Sequence, residues 1–297
     1  MIPRLLVAAV VAAVCLASIA LVVWEHDDTA PAPPRSPPVG SGIVFDDDGN
    51  DVWRVRPDGS HLRRLTSDPA PEFDPSWSVD GEQIAYRSEV DGNAEIYVMD
   101  ADGSHKRNLT RSPASDYSPT WSPTQELIAF ASDRGGGTND IYVMHADGSQ
   151  VRRVTTNDAV DEYPSWSPDG ALLAFATDRD DDWEIYVIGA GGSDERRLTR
   201  AGGKSPSWSP DGRLIAFQGP ARGGGRSEHA ELSSIWTIEP DGDAARFVAS
   251  DAYTPAWRED GRAIVAGTAG ALSLLDTNGH LRRRIAPGPA LNADWRR

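Results

Sequence analysis

The sequence is nearly devoid of cysteine and lysine. Its 297 residues include one cysteine, Cys15, and two lysines, Lys106 and Lys204. A single cysteine excludes an intrachain disulfide, a cysteine-ligated zinc site and the usual thiol-enzyme motifs. Because lysine is so scarce, arginine supplies almost all of the positive charge.

Charge and catalytic motifs narrow the function classes further. The 29 basic residues are outnumbered by 45 acidic ones, which gives a formal net charge of −16 and a pI near 4.7. Nucleic-acid binding requires a basic footprint, so this class of partner is excluded, whereas a cationic partner is favoured. The sequence has no GxSxG elbow, no HExxH and no phosphate loop. We therefore predict no catalytic residue, no metal site and no cofactor.

The N-terminus carries the one long apolar run. Leu5–Trp24 follows Arg4 and is long enough, at about 1.5 Å per residue, to span a bilayer core of roughly 30 Å. The preceding arginine favours a cytoplasmic N-terminus and an exported remainder. We predict a membrane anchor or signal segment at residues 1–28, with an uncleaved signal anchor, a cleaved signal and a lipoprotein attached at Cys15 as the alternatives. Residues 29–41 are rich in proline and predict a semi-rigid linker.

Tryptophan marks an internal repeat in the rest of the chain. It recurs at intervals of about 40–45 residues, which is typical of stacked or radial repeat architectures, at Trp77, Trp121, Trp166, Trp208, Trp257 and Trp295. Each repeat contains four short apolar or alternating runs, such as YPSW, LLAFAT, EIYVIG and ERRLT, separated by turn residues. These runs predict β-strands, and no helical periodicity competes with them. We expect each tryptophan to pack between neighbouring sheets.

Two kinds of turn recur within the repeat. SPDG at 167–170 predicts a hairpin in which Pro168 fixes the backbone of a type I turn and Gly170 takes the left-handed position. SVDG, the second SPDG and REDG repeat this pattern, while DGS sequences join the third strand to the fourth. We therefore expect uniform turns on one face of the molecule and variable loops on the other, where binding residues usually lie.

Strand counting predicts how the array closes. The repeats begin with GIVFDD at 42–47, which has no tryptophan strand before it, and end with ALNADW at 290–295, which has no strands after it. If the last strand completes the first sheet, residues 42–297 form an all-β, six-bladed propeller without exposed sheet edges at a seam.

The repeated pattern PSWSPDG…IAF, EIYVMDADGS and RRLT resembles the repeat of TolB-type propellers, which are WD40-like proteins of the bacterial cell envelope. The resemblance extends over about residues 42–297. TolB itself has another domain before its propeller, whereas a predicted membrane segment and linker precede it here. The resemblance implies a non-catalytic binding module, periplasmic or extracellular, with a protein or another envelope component as partner. We further expect a monomer that the predicted N-terminal helix anchors to the membrane.

Acidic and aromatic residues precede the tryptophan strands. Glu72, Asp116 and Asp161 each lie five residues before a tryptophan, and the neighbouring candidates are Phe73, Tyr117, Glu162 and Tyr163. We predict that these seven side chains surround the mouth of the central channel and contact a cationic peptide or a sugar. Ordinary packing at the start of a hairpin is the alternative.

Other interpretations remain open at this point. The acidic runs at 46–51 and 178–184 are either solvated loops or calcium sites, although neither has EF-hand spacing. The paired arginines of the fourth strands either protect sheet edges or recognise an anionic surface. A carbohydrate lyase or hydrolase, and a sensor of a small ligand or metal, are the alternative functions; catalysis would require two carboxylates that converge in the channel.

Overall fold

The computed structural model describes residues 42–222 and 232–296. The predicted membrane segment, the linker and the centre of the loop between Pro220 and Leu232 lie outside these residues. The described part of the chain consists of 24 strands in six four-stranded antiparallel sheets. The predicted six-bladed propeller is therefore confirmed. Among the described residues, no helix combines the length and apolar character that crossing a bilayer requires.

The strands of blades one to three have the following bounds. Blade one contains β24 (Ala290–Arg296), β1 (Gly42–Asp47), β2 (Val52–Val55) and β3 (Arg63–Arg64). Blade two contains β4 (Glu72–Trp77), β5 (Gln83–Ser88), β6 (Glu95–Asp100) and β7 (Arg107–Asn108). Blade three contains β8 (Asp116–Trp121), β9 (Leu127–Ser132), β10 (Asp140–His145) and β11 (Arg152–Arg153).

The remaining blades follow the same order from the inner strand to the outer one. Blade four contains β12 (Asp161–Trp166), β13 (Leu172–Thr177), β14 (Glu184–Gly189) and β15 (Arg196–Arg197). Blade five contains β16 (Lys204–Trp208), β17 (Ile215–Pro220), β18 (Leu232–Ile238) and β19 (Arg246–Ser250). Blade six contains β20 (Ala252–Trp257), β21 (Ala263–Thr268), β22 (Ala271–Asp276) and β23 (Leu281–Pro287).

The C-terminal strand closes the ring. β24 pairs antiparallel with β1, with Trp295 opposite Ile43 and Ala290 opposite Asp47. Its tryptophan packs in an apolar cluster that contains residues of blades one and six. The predicted closure is therefore confirmed, and both ends of the propeller sequence belong to one blade.

The tryptophans pack between blades, as predicted. The six indoles are between 5% and 8% exposed, and each belongs to a cluster that joins two adjacent sheets. Two of them also donate hydrogen bonds across the junction: Trp166 Nε1 lies 3.2 Å from the carbonyl oxygen of Thr120, and Trp257 Nε1 lies 3.1 Å from that of Ser207. Each indole thus fills the wedge-shaped space between two twisted sheets.

The two turn types have the predicted backbone. Gly170 has a φ of 70°, and Ser167 Oγ donates to Asp169 Oδ1 over 2.6 Å inside the same turn. In the DGS turns the glycine is also required for contact between blades. A Cβ at Gly148 would lie 2.6 Å from the carbonyl oxygen of Leu109 in the preceding blade, which no larger residue could tolerate.

Candidate binding site at the mouth of the channel

The inner strands share a backbone irregularity that shapes the channel. Each pairs with the second strand of its blade through a register shift three or four residues before the tryptophan. The third residue before each tryptophan has a φ between 43° and 55°: Asp74, Ser118, Tyr163, Ser205, Thr254 and Asn292. A bulge of this kind redirects side chains, and here the six bulged residues line the channel.

Three cavities lie along the channel. The narrow central cavity, about 150 Å³, is lined by the bulged residues and the residues that follow them in all six inner strands. The cavity at the hairpin face measures about 520 Å³ and is bordered by the six tryptophans. The cavity at the loop face, which we call the mouth, measures about 580 Å³ and contains most of the charged side chains.

Four of the seven predicted site residues line the mouth. Phe73, Tyr117, Glu162 and Tyr163 are half-buried and border this cavity. The first three occupy the position four residues before a tryptophan, and Tyr163 occupies the bulge position. Their place at the mouth agrees with the prediction, while their role in binding stays a hypothesis.

The prediction that Glu72, Asp116 and Asp161 are exposed at the same rim is wrong. The three residues are 1%, 0% and 0% exposed, and none of them borders the mouth. They begin the inner strands one residue before the mouth-lining position. Because successive side chains of a strand point to opposite faces, a difference of one residue directs these carboxylates between the blades.

The three buried carboxylates take part in ion pairs within the fold. Arg134 Nη2 lies 2.8 Å from both carboxylate oxygens of Asp116, and Arg179 Nη2 lies 3.2 Å from Asp161 Oδ1. Among the described residues, the ion-pair partner of Glu72 is the more distant Lys106, with Nζ 3.7 Å from Oε1. Asp116 and Asp161 also interact electrostatically with Glu95 and Asp140 of the preceding blades. These carboxylates therefore lie at the blade junctions, which supports the packing alternative for them.

Aromatic rings and one guanidinium form one side of the mouth. Arg87 lies between two rings, with Cζ 4.8 Å from the centroid of Phe73 and 5.1 Å from that of Tyr117. It also pairs with Glu89. Stacking on both faces holds the guanidinium in place without fully covering it. Tyr253 from blade six borders the same cavity.

Two aspartates, from blades one and two, border the same cavity. Asp46 is 0% exposed, and its Oδ1 accepts a hydrogen bond of 3.1 Å from the backbone N–H of Asp74. Burial, and then the nearby charge of Asp74, raises the pKa of Asp46 well above its ordinary value. Burial also raises the pKa of Asp74, although Arg87 acts against this shift. The pair therefore favours retaining a proton.

A second pair of ionisable groups completes the mouth. Burial raises the pKa of Glu162, whose Oε1 accepts a hydrogen bond of 2.7 Å from Asn139 Nδ2. Burial lowers the pKa of Lys204, whose Nζ lies 3.8 Å above the ring centroid of Trp183. The mouth thus presents both signs of charge, held among aromatic rings.

Sequence reasoning missed Asp46, Asp74, Arg87 and Lys204. Asp46 and Arg87 belong to second strands. Asp46 begins the acidic run 46–51, whose composition predicts a solvated loop or a calcium site, and the local sequence of Arg87 does not separate it from ordinary strand residues. Two signals were present: Asp74 directly follows a predicted residue, and Lys204 is one of only two lysines. The bulge that turns Asp74 into the channel could not be inferred from strand alternation.

The described residues 42–222 and 232–296 contain no group of three or more His, Cys, Asp or Glu side chains arranged to hold a metal ion. In the acidic run 46–51, Asp47 Oδ1 accepts the backbone N–H of Asp51 over 3.1 Å, which closes the turn. Calcium binding at these loops remains a hypothesis from the sequence.

Comparison with known families identifies the repeat. The profile of the TolB beta propeller domain matches residues 73–164 and 160–274, which together span most of the chain. A TolB homologue from Chlorobium luteolum is 36% identical over 62 residues, which cover 21% of this chain and 14% of that protein.

Solved structures show the same fold. TolB from Acinetobacter baumannii superposes with a TM-score of 0.73 at 22% identity, over 86% of this chain and 65% of that one. An oligogalacturonate lyase in complex with manganese superposes with a TM-score of 0.55 at 14% identity, over 77% of this chain and 70% of that one. The chain thus spans less than two thirds of both TolB relatives.

Proposed function

This chain belongs to the TolB beta-propeller domain family, and on that premise we propose that it is a non-catalytic, protein-binding module of the cell envelope. Its binding site is the mouth of the channel and the surrounding loop face. Propellers of this family suggest a periplasmic protein-binding role. The partner of this chain is then a protein or another envelope component outside the cytoplasm.

One observation supports this site above others: the mouth combines charged groups of both signs with aromatic side chains around a cavity of about 580 Å³. The cavity at the hairpin face is nearly as large but is bordered mainly by the repeated tryptophans, prolines and serines. Aromatic anchors with a few fixed polar groups are typical of recognition sites. The variable face is therefore the better candidate.

We further propose that the chain is attached to the membrane. The apolar run Leu5–Trp24 supports an anchor with the propeller exported, as predicted from its length and from Arg4. The charge of −16 is consistent with a cationic segment on the partner, since complementary fields accelerate encounter.

Site-specific photocross-linking tests the binding face. A photoreactive amino acid replaces Tyr117 at the mouth, and a matched variant carries it at Arg213, which follows a hairpin turn and is 86% exposed. Irradiation of cells, followed by mass spectrometry, should give one dominant protein adduct from the mouth position only. Adducts from the hairpin position alone would contradict the proposed face.

A carbohydrate lyase is the second candidate, and it is favoured by the Asp46–Asp74 pair and by the fold of the oligogalacturonate lyase. Two carboxylates that retain a proton could serve as acid and base. The test incubates the purified propeller with oligogalacturonate and manganese and measures the unsaturated product by its ultraviolet absorbance. Product formation that disappears in Asp46→Asn would replace the binding proposal, whereas no product supports it.

A further inference from the structure

The outer strand of blade six differs from its counterparts. The outer strands of blades one to four contain two residues each, and that of blade five contains five. β23 contains seven residues, Leu281–Pro287, and the stretch from Leu281 to Arg284 is exposed. It is outermost in its sheet, with β22 as its partner strand. One side of its backbone is therefore directed away from the sheet.

The arginines of β23 also lack the role that equivalent arginines have elsewhere. In blades one, three and four, the second arginine of the outer strand pairs with a buried carboxylate that begins the third strand or directly precedes it. The distances are 2.6–2.7 Å: Arg64 with Asp51, Arg153 with Asp140, and Arg197 with Glu184. In blade six the third strand begins with Ala271, so this internal partner is missing.

Within the described residues, Arg283 and Arg284 form no ion pair, whereas Arg282 pairs with Asp276 at 2.6 Å. The surrounding sequence is basic as well. Residues 258–297 contain seven arginines and four carboxylates, in a chain whose net charge is −16. The guanidinium groups of Arg283 and Arg284 are therefore available to a partner.

A cavity of about 470 Å³ lies beside the strand. Its lining combines apolar Leu274, Pro57 and Trp295 with three arginines and three carboxylates: Arg258, Arg282, Arg283, Asp58, Glu259 and Asp260. Arg258 pairs with Asp260 at 3.0 Å, and Arg282 pairs with Asp276. The cavity is therefore balanced in charge, and selectivity for an acidic peptide rests on the guanidinium groups of Arg283 and Arg284.

We propose that the edge of β23 from Leu281 to Arg284 binds an extended acidic peptide of another protein, which adds to blade six as a fifth strand. Backbone hydrogen bonds would supply affinity, and the guanidinium groups of Arg283 and Arg284 would select carboxylate side chains. At its far end the edge is covered by a blade-one turn, since a Cβ at Gly59 would lie 3.0 Å from the carbonyl oxygen of Ile285. The exposed stretch is thus short.

The occupant is an acidic partner rather than a second copy of β23. Two such strands side by side would place arginine next to arginine, which destabilises strand pairing. Short strands, charged side chains and proline all protect a sheet edge. Blades one to four combine charge with outer strands of only two residues, whereas the seven-residue β23 leaves a longer stretch that can pair with a peptide. The proposal concerns the perimeter of the propeller and does not depend on the role of the mouth.

The test measures fluorescence anisotropy of a labelled peptide that alternates threonine and glutamate, added to the purified propeller. The double variant Arg283→Glu/Arg284→Glu should weaken binding by about tenfold or more. The matched control, Arg63→Glu/Arg152→Glu, makes the same charge change on exposed outer-strand arginines of blades one and three, and should leave binding unchanged. Circular dichroism and melting curves verify that each variant is folded.

Further arms separate the occupants. A peptide methylated on alternate backbone nitrogens should lose binding, since it cannot pair as a strand; equal binding would overturn strand addition. Equal loss in both double variants would overturn the assignment to β23. Binding to vesicles of anionic phospholipid but not to the peptide would also overturn the proposal, as would a dimer that the β23 variant converts to a monomer in analytical ultracentrifugation.

Discussion

Two blade junctions place different chemistry at equivalent positions. Between blades three and four, the third strand of one and the inner strand of the next begin with buried carboxylates, Asp140 and Asp161. Arg153 lies 2.6 Å from the first and Arg179 lies 3.2 Å from the second. Every buried negative charge at this junction thus has a cation beside it.

Between blades six and one, alanines replace both carboxylates. Ala271 and Ala290 are 2% and 1% exposed, and Ala290 packs in an apolar cluster with Ile43 and Trp295. The same backbone positions are therefore stabilised by ion pairs in one junction and by apolar packing in the other. The comparison indicates that the fold does not require charge at these positions. It requires that a buried side chain has a matching neighbour, either a cation beside a carboxylate or an apolar group beside an alanine.

The junction between blades one and two lies between these extremes. Glu72 keeps the buried carboxylate, but Val90 stands where Arg134 and Arg179 stand in the next two blades. Glu72 Oε2 has no hydrogen-bond partner among the described residues, and burial raises the pKa of this carboxyl group. This junction therefore has the buried carboxylate of the inner strand but not the arginine that pairs with it in the next two blades.

The largest expected effect comes from removing the apolar closure. Deletion of residues 290–297 takes the inner strand from blade one and opens the ring. Loss of a buried tryptophan side chain alone costs about 3–5 kcal/mol, and Trp295 is only 8% exposed. Thermal denaturation followed by circular dichroism should show a large fall in Tm or no cooperative transition. An unchanged melting curve would contradict closure by β24.

The next largest effect is expected from breaking the ion pair between Arg179 and Asp161. Arg179→Met leaves the fully buried Asp161 without its guanidinium, and we expect a loss of about 3 kcal/mol in the free energy of unfolding. Arg283→Met provides the control, because Arg283 forms no ion pair with the residues that the structure describes. This substitution should change stability by less than about 0.5 kcal/mol. Urea titrations measure both. Similar losses of unfolding free energy in the two variants would show that the buried ion pair contributes no more to stability than an exposed arginine does.

The third prediction concerns pH. The pKa of Asp46 is raised in the folded protein, so the folded state binds its proton more tightly than the unfolded state does. This contribution to stability is present below the pKa of the unfolded aspartate and is lost as pH rises through the folded pKa, at most about 1.4 kcal/mol per pH unit for one proton.

Asp46→Asn should remove this dependence and stabilise the protein at neutral pH. Urea titrations at a series of pH values from acid to neutral measure the effect. A wild-type protein whose stability rises through this window as steeply as that of the variant would contradict the assignment.

The smallest effect is expected from adding the arginine that the junction between blades one and two lacks. Val90→Arg places an arginine where blades three and four have one, and Val90 is 49% exposed, so the substitution removes little packing. We expect a gain of about 1 kcal/mol in the free energy of unfolding, as is common for stabilising surface changes. The gain should vanish in the Glu72→Gln background. A gain that persists there would come from another contact.

The fold was predictable from the sequence because its signals repeat. Six tryptophans, the glycine turns, the missing inner strand of the first repeat and the extra tryptophan strand after the last one determine the number of blades and the closure. The placement of Glu72, Asp116 and Asp161 was not predictable to within one residue, because a bulge follows them and strand alternation then decides which face they take. Pairings such as Arg134 with Asp116 join the start of an inner strand to the loop after the second strand, and the alternation of side chains along a strand does not encode them.

The central claim is that adjacent residues of one inner strand have different roles. The residue five positions before the tryptophan stabilises the blade junction, and the next residue forms part of the mouth. The direct measurement is partner binding per folded molecule, by surface plasmon resonance, with the protein identified by cross-linking. Glu72→Gln/Asp116→Asn/Asp161→Asn should lower stability and leave the affinity of the folded fraction unchanged. Phe73→Ala/Tyr117→Ala/Glu162→Gln should keep the fold and weaken binding by tenfold or so. If the first triple alone weakened binding, the account would be contradicted.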